Sequence, residues 1–143
     1  MAPLFSNLDN YAEAIACLKK VIESETEEIL KVGLLTKIAG NYKKLNDETN
    51  CIQNSLAAYN IIKRLQGEKN VQSCICLINL AGVYQHFDKK DEALRLYEEF
   101  IALFDQENWT GNDKYEKLRD FAKAAIEEIK GGEEEYYEEE EDK

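Results

Sequence analysis

Apolar side chains recur along this chain at intervals of three and four, the spacing that gathers them on one face of a helix. Tyr11, Ala14, Ile15, Leu18, Val21 and Ile22 form one such stripe behind a Ser6, Asn7, Asp9 capping region, and they predict a helix over ~9–23. A second stripe, Ile29, Leu30, Leu34, Leu35, Ile38, Ala39, Tyr42 and Leu45, predicts ~26–45. The same pattern predicts ~49–66, with Gly67 as its stop, and then ~69–87 and ~90–104. A looser stretch from Asp105 to Asn112 precedes a last helix over ~113–130, which Gly131 and Gly132 are expected to end. No alternating apolar–polar run competes with these. The fold class expected is all-α, with about six antiparallel helices.

An internal repeat sets the architecture. Ile38-Ala39-Gly40-Asn41-Tyr42 returns 42 residues later as Leu80-Ala81-Gly82-Val83-Tyr84, and the same offset relates Leu35 to Leu77 and Leu45 to Phe87. For the helices that follow, Ser55 and Tyr59 are paired with Ala93 and Tyr97 at an offset of 38, as a longer first connection would require. A two-helix unit of this length cannot cover its own apolar face, so stacked copies must share a core. Ala39, Ala81 and Ala93 are the small residues expected where helices cross.

Leu77, Leu80, Ala81 and Tyr84, followed by Ala93 and Tyr97, fall at the spacing of the tetratricopeptide repeat (TPR), and the chain resembles that family. Asp88 departs from the pattern, since glycine is common at that turn, and Phe100 stands where a small residue is usual. The resemblance implies a right-handed array whose concave wall is lined by the first helix of each unit. Read in order over ~13–128, several fragments are also similar to the soluble NSF-attachment proteins, the TPR-like adaptors of membrane fusion. These are Glu13-Ala14-Ile15-Ala16-Cys17-Leu18, Gly67-Glu68, Cys76-Leu77 with Leu80-Ala81-Gly82, Ala93 with Tyr97-Glu98, and Lys114-Tyr115 with Lys123-Ala124-Ala125-Ile126. That resemblance implies a SNARE-type helical bundle and an AAA ATPase as partners, in vesicle-mediated transport. Family members are about twice this length, and the carboxy-terminal segment that meets the ATPase has no counterpart among these residues.

Composition changes the picture in two places. The net charge of −11 is concentrated in residues 131–143, which hold eight acids and one lysine, leaving −4 for residues 1–130. Two segments are therefore expected: a helical-repeat domain over 1–130, capped by the helix at 113–130, and a disordered acidic tail over 131–143. Neither offers the basic surface that nucleic acid requires. No run of about 18 apolar residues predicts a membrane span, and the amino terminus lacks a secretory pattern. The expected location is the cytoplasm, with membranes reached only through partners.

Nothing in the sequence points to catalysis. There is no phosphate loop or nucleophile motif, and His86 is the sole histidine. Cys17, Cys51, Cys74 and Cys76 make no metal-ligand spacing and are expected as reduced thiols. No cofactor is expected, and the protein is read as a non-enzymatic binding adaptor. The alternative to the SNARE-binding reading is a generic TPR scaffold for a peptide or a neighbouring subunit.

The repeat register places Thr36, Gly40, Lys43 and Lys44 on the concave wall of one unit, and Ile75, Ile78, Gly82, Gln85 and His86 on that of the next. Lys37, with Lys43 and Lys44, is the nearest candidate for contact with an acidic bundle. Gly40 and Gly82, each costing about 1 kcal/mol in mid-helix, serve either the approach of a ligand or tight packing against a neighbouring helix. At the amino terminus, Leu8-Asp9-Asn10-Tyr11 aligns with the turn inside a unit. The first helix would then lack its own partner, with apolar surface around Leu4, Phe5 and Ile15 uncovered. Self-association through residues 4–22 is the expected consequence.

Overall fold

Six helices follow one another in the computed structural model, whose backbone is described over residues 3–141 and whose side chains are described over 8–131. They are α1 (Pro3–Ser24), α2 (Glu28–Lys44), α3 (Glu48–Gln66), α4 (Val71–His86), α5 (Lys90–Glu107) and α6 (Asp113–Glu141). Consecutive helices pack on each other, and α4 also packs on α6, which makes a layered array of paired helices. Among the described residues there is no strand.

The same turn is used three times. The Asn46 amide donates to Lys43 O at 3.0 Å and the Asp47 amide to Tyr42 O at 2.9 Å. Asp88 repeats this on Gln85 at 3.1 Å, and Lys89 on Tyr84 at 2.8 Å. Asn108 and Trp109 do the same after α5. This pair of bonds is the Schellman motif, which needs one residue with positive φ just past the helix. Asn46, Asp88 and Asn108 supply it, at φ 58°, 61° and 52°. Asn and Asp tolerate that conformation better than other L-residues, which explains why Asp88 can replace the expected glycine.

Identical turns have a consequence for the repeat register. Both connections have the same length, so the offset of 42 continues through the second helix of each unit and the offset of 38 is incorrect. Cys51 N–H bonds to Asp47 O as Ala93 N–H bonds to Lys89 O. Cys51 is therefore the mate of Ala93, Ser55 of Tyr97, Ala58 of Phe100 and Ile62 of Phe104. The four-residue slip arose because i and i+4 lie on nearly the same helix face.

The core has two clusters. The larger joins α3, α4, α5 and α6 around the fully buried Tyr97, Phe100 and Phe104, with Ala81, Ala93 and Ala122 at 0% exposure between helices. The smaller gathers Ile15, Ile38, Ala39, Tyr42 and Cys51 between α1, α2 and α3. Val32 of α2 sits in the large cluster, and Val83 of α4 sits in the small one. α4 is apolar nearly all round and buries seven side chains, as expected of a helix covered on several sides.

Both ends differ from expectation. α1 begins at Pro3, an N1 residue with no amide to satisfy, so Leu8-Asp9-Asn10-Tyr11 is helical rather than a turn. Ile15 is 6% exposed, packed with Ile38 and Ala39, and so is not part of an open edge. Leu4 and Phe5 lie outside the described side chains. Self-association through 4–22 loses the support that an uncovered Ile15 would give it. At the other end, α6 continues through Gly131 and Gly132 to Glu141. Gly131 lacks the positive φ that a C-terminal stop would use, and glycine in a helix costs about 1 kcal/mol without forbidding it. The disorder expected for 131–143 falls largely on residues outside the described side chains.

Candidate functional site

Between α2 and α4 runs a groove of about 520 Å³. The amino-terminal halves of α2 and α4 form its walls, and Ile62 and Gln66 from the carboxy-terminal end of α3 close it below. α3 therefore runs against both walls, and the two walls run in the same direction. Ile29, Val32, Ile75 and Cys76 make it apolar inside, while Thr36, Lys37, Gln72 and Asn79 give it a polar margin. The Thr36 hydroxyl donates to Val32 O at 2.8 Å, so it is engaged with its own helix. Burial raises the Cys76 thiol above its ordinary pKa and keeps it in the neutral form near neutral pH.

The groove is open because α2 carries glycine where α4 carries isoleucine. Gly33 is the register mate of Ile75, and a Cβ built on Gly33 would meet nothing within 4 Å. Gly40 is equally open, so tight helix packing does not account for it. At Gly82 a Cβ would meet the Tyr97 hydroxyl at 3.7 Å, an ordinary contact.

Thr36, Lys37 and Ile75 line this groove together. Gly40 and Lys44 are exposed further along α2, and Lys43 is half-buried there. Among the described residues, none of Lys37, Lys43 and Lys44 forms an ion pair. Ile78 lies in the large core at 5% exposure and offers almost no side-chain surface to a partner. Gln85 belongs to a different place, the meeting of α4, α5 and α6. It accepts from the Tyr97 hydroxyl at 2.9 Å and donates to Glu128 at 3.5 Å. His86 is exposed, with its ring edge-on to Phe87 at 4.8 Å.

Residues 32–106 match the tetratricopeptide-repeat family model, and that span is more than half of the chain. The chain is a member of the tetratricopeptide-repeat family. The match covers α2 to α5, which places the groove between the first helices of two successive TPR units. As TPR units stacked in an all-α array, these helices form a protein-interaction scaffold. No curated protein matches the chain, and no solved structure matches it.

The candidates drawn from sequence left out eight groove residues: Ile29, Val32 and Gly33 on α2, Ile62 and Gln66 on α3, and Gln72, Cys76 and Asn79 on α4. Ile29, Gly33, Thr36 and Gly40 fall three, four or seven apart, so extending the Gly40 face back along α2 would have found the first two. Gln72 and Asn79 bracket Ile75 in the same way on α4. Among the described residues no His, Cys, Asp and Glu side chains group as a metal site, and no helix is long and apolar enough to cross a membrane.

Proposed function

We propose that this TPR protein is a non-enzymatic scaffold holding an extended peptide, or a segment of a neighbouring subunit, in the groove between α2 and α4. The observation that carries this reading is the groove itself, apolar within, polar at its margin and kept open by Gly33. Such a cleft takes an apolar anchor side chain in its floor, and the amides of Gln72 and Asn79 are placed to meet peptide groups beside it. Thr36, Lys37 and Ile75 would contact the ligand directly. Gly40, Lys43, Lys44, Gly82 and His86 would extend the surface along the same helices. Residues 1–130 form the binding unit in this proposal, and the acidic 131–143 segment is a solvated appendage to it.

The test is Gly33→Leu. The side chain enters open space, and leucine is a better helix former than glycine by close to 1 kcal/mol, so stability should hold or rise. Peptides selected from a random display library against the wild type should bind the variant at least about tenfold more weakly. Selected peptides that bind both forms equally would remove the groove from the proposal.

A narrower reading, a cytoplasmic adaptor like the soluble NSF-attachment proteins, draws on the unpaired Lys37, Lys43 and Lys44. These would face acids of a SNARE-type bundle. Capture of an assembled bundle that is lost on Lys43→Glu with Lys44→Glu, and lost in higher salt, would favour it. No capture would leave the peptide scaffold.

A further inference from the structure

Away from the groove, between α3 and α5, lies a second pocket of about 210 Å³. Its wall carries two carboxylates, Glu68 and Glu99, beside Tyr59 and Gln106, and its apolar side includes Leu77 and Leu103. It shares no residue with the α2–α4 groove. Among the described residues neither Glu68 nor Glu99 has a cation partner. Lys69, next to Glu68 in the chain, is drawn away to Glu107 at 2.8 Å. Lys63 lies over the face of the Tyr59 ring, 5.7 Å from its centroid, and not at the carboxylates.

Tyr59 supplies the observation that separates this pocket from an ordinary acidic patch. Its side chain is 8% exposed, yet its hydroxyl makes no hydrogen bond among the described residues. No fully enclosed side-chain oxygen in the described structure lacks a partner. The hydroxyl therefore ends where something from outside can reach it, at the pocket. Burial and then the charges of Glu99 and Glu68 push its pKa up to about 12, so the phenol is protonated at neutral pH and close enough to feel both carboxylates. Two exposed carboxylates without a cation partner and a phenol without a protein partner thus line one pocket, beside an apolar side.

We propose that this pocket is a docking site for an arginine side chain of a protein partner. The methylene stem would lie along the exposed Ala102 and the edge of Leu103. The guanidinium would donate to Glu68 and Glu99 and to the Tyr59 oxygen. Its planar fork of five donors can satisfy several acceptors at once, which a lysine ammonium matches less well. The site is independent of the groove proposed for peptide binding, so a partner could be held on both sides of the array.

The experiment is a titration of the full chain with N-acetyl-arginine amide, followed by NMR and compared with N-acetyl-citrulline amide. The citrulline probe keeps the shape and lacks the charge. Saturable shifts at Tyr59, Ala102 and Leu103 are expected with the arginine probe, and binding at least about tenfold weaker with citrulline. Glu68→Gln with Glu99→Gln should weaken the arginine probe by about tenfold, and Tyr59→Phe by a smaller factor. Gly33→Leu should leave its affinity unchanged, which distinguishes this site from the groove. Equal binding of the two probes, or non-saturating shifts spread over all acidic surfaces, would overturn the proposal. So would an affinity indifferent to the double variant.

Discussion

α2 and α4 hold the same place in successive TPR units, yet they are packed very differently. α2 buries Val32, Ile38, Ala39 and Tyr42, whereas α4, one residue shorter, buries seven side chains. α4 packs chiefly on α3, α5 and α6, while α2 packs chiefly on α1 and α3. The residues follow the cover. Ile78, buried, has the exposed Thr36 as its mate, and Ile75 has Gly33. The second helices repeat the contrast, since the fully buried Phe100 stands where the first unit has Ala58. A repeat conserves its turns and its small crossing residues, and the neighbours decide the rest. The unit whose first helix buries fewer side chains is also the one whose glycine, Gly33, leaves the groove open.

The largest effect expected from this contrast is at Phe100. Phe100→Ala should destabilise by about 3–5 kcal/mol in urea unfolding, because the ring is wholly enclosed with Phe104 and Trp109 around it. A loss below about 1 kcal/mol would mean the second unit is not the tighter one. Next come the crossing alanines. Ala81→Leu should overpack its crossing at a cost of about 1–3 kcal/mol, and Ala39→Leu, in the smaller cluster, should cost less. Equal losses would show that cover by α6 does not govern the difference.

The caps sharpen the comparison further. Asp47 accepts from the Asn50 amide at 3.2 Å at the start of α3, whereas Lys89 makes no such bond at the start of α5. Asp47→Ala should cost about 1 kcal/mol. Lys89→Ala should leave stability nearly unchanged, since the pair it loses, with Glu48 at 3.1 Å, is solvent-exposed. Thermal unfolding of the two variants side by side checks this.

The smallest effect near neutrality is in the pH profile. Burial pushes Tyr59, Tyr97 and Cys74 up to about 12. In the unfolded chain these groups lose their protons first, Cys74 before the tyrosines, so between about 8 and 12 the folded state holds more protons and stability falls as pH rises. Below about pH 7.5 all three are protonated in both states and contribute no slope. Urea midpoints that stay level through alkali would count against this burial.

Much of the array was legible from residue spacing, and the reasons are specific. Ile38-Ala39 and Leu80-Ala81 carry a rigid requirement, small residues beside large ones at a crossing, so the offset between them was readable. The slip at Ser55 and Tyr59 came from reading a face, which cannot tell one helical turn from the next. The turn at Asn46 and Asp88 could have settled it, because both can adopt positive φ and they stand 42 apart. The groove was half legible. Thr36 and Ile75 follow from the repeat, and Lys37 from the likeness to the attachment proteins. Gly33 and Asn79 matter because of what is missing across from them, and an opening depends on two helices at once. Ile78 shows the opposite failure: its place on the presumed concave face is overridden by the cover that α4 receives.

The crossing-over of Val32 and Val83 bears on how the molecule comes apart. Each valine completes the cluster that belongs chiefly to the other unit, so neither unit can melt without uncovering a side chain of its neighbour. The amides of α2 to α5 should accordingly exchange with solvent through one shared opening, despite the unequal packing on either side. A cut in the Gly67–Asn70 connection would leave one half without Val83 and the other without Val32, Ala58, Tyr59 and Ile62.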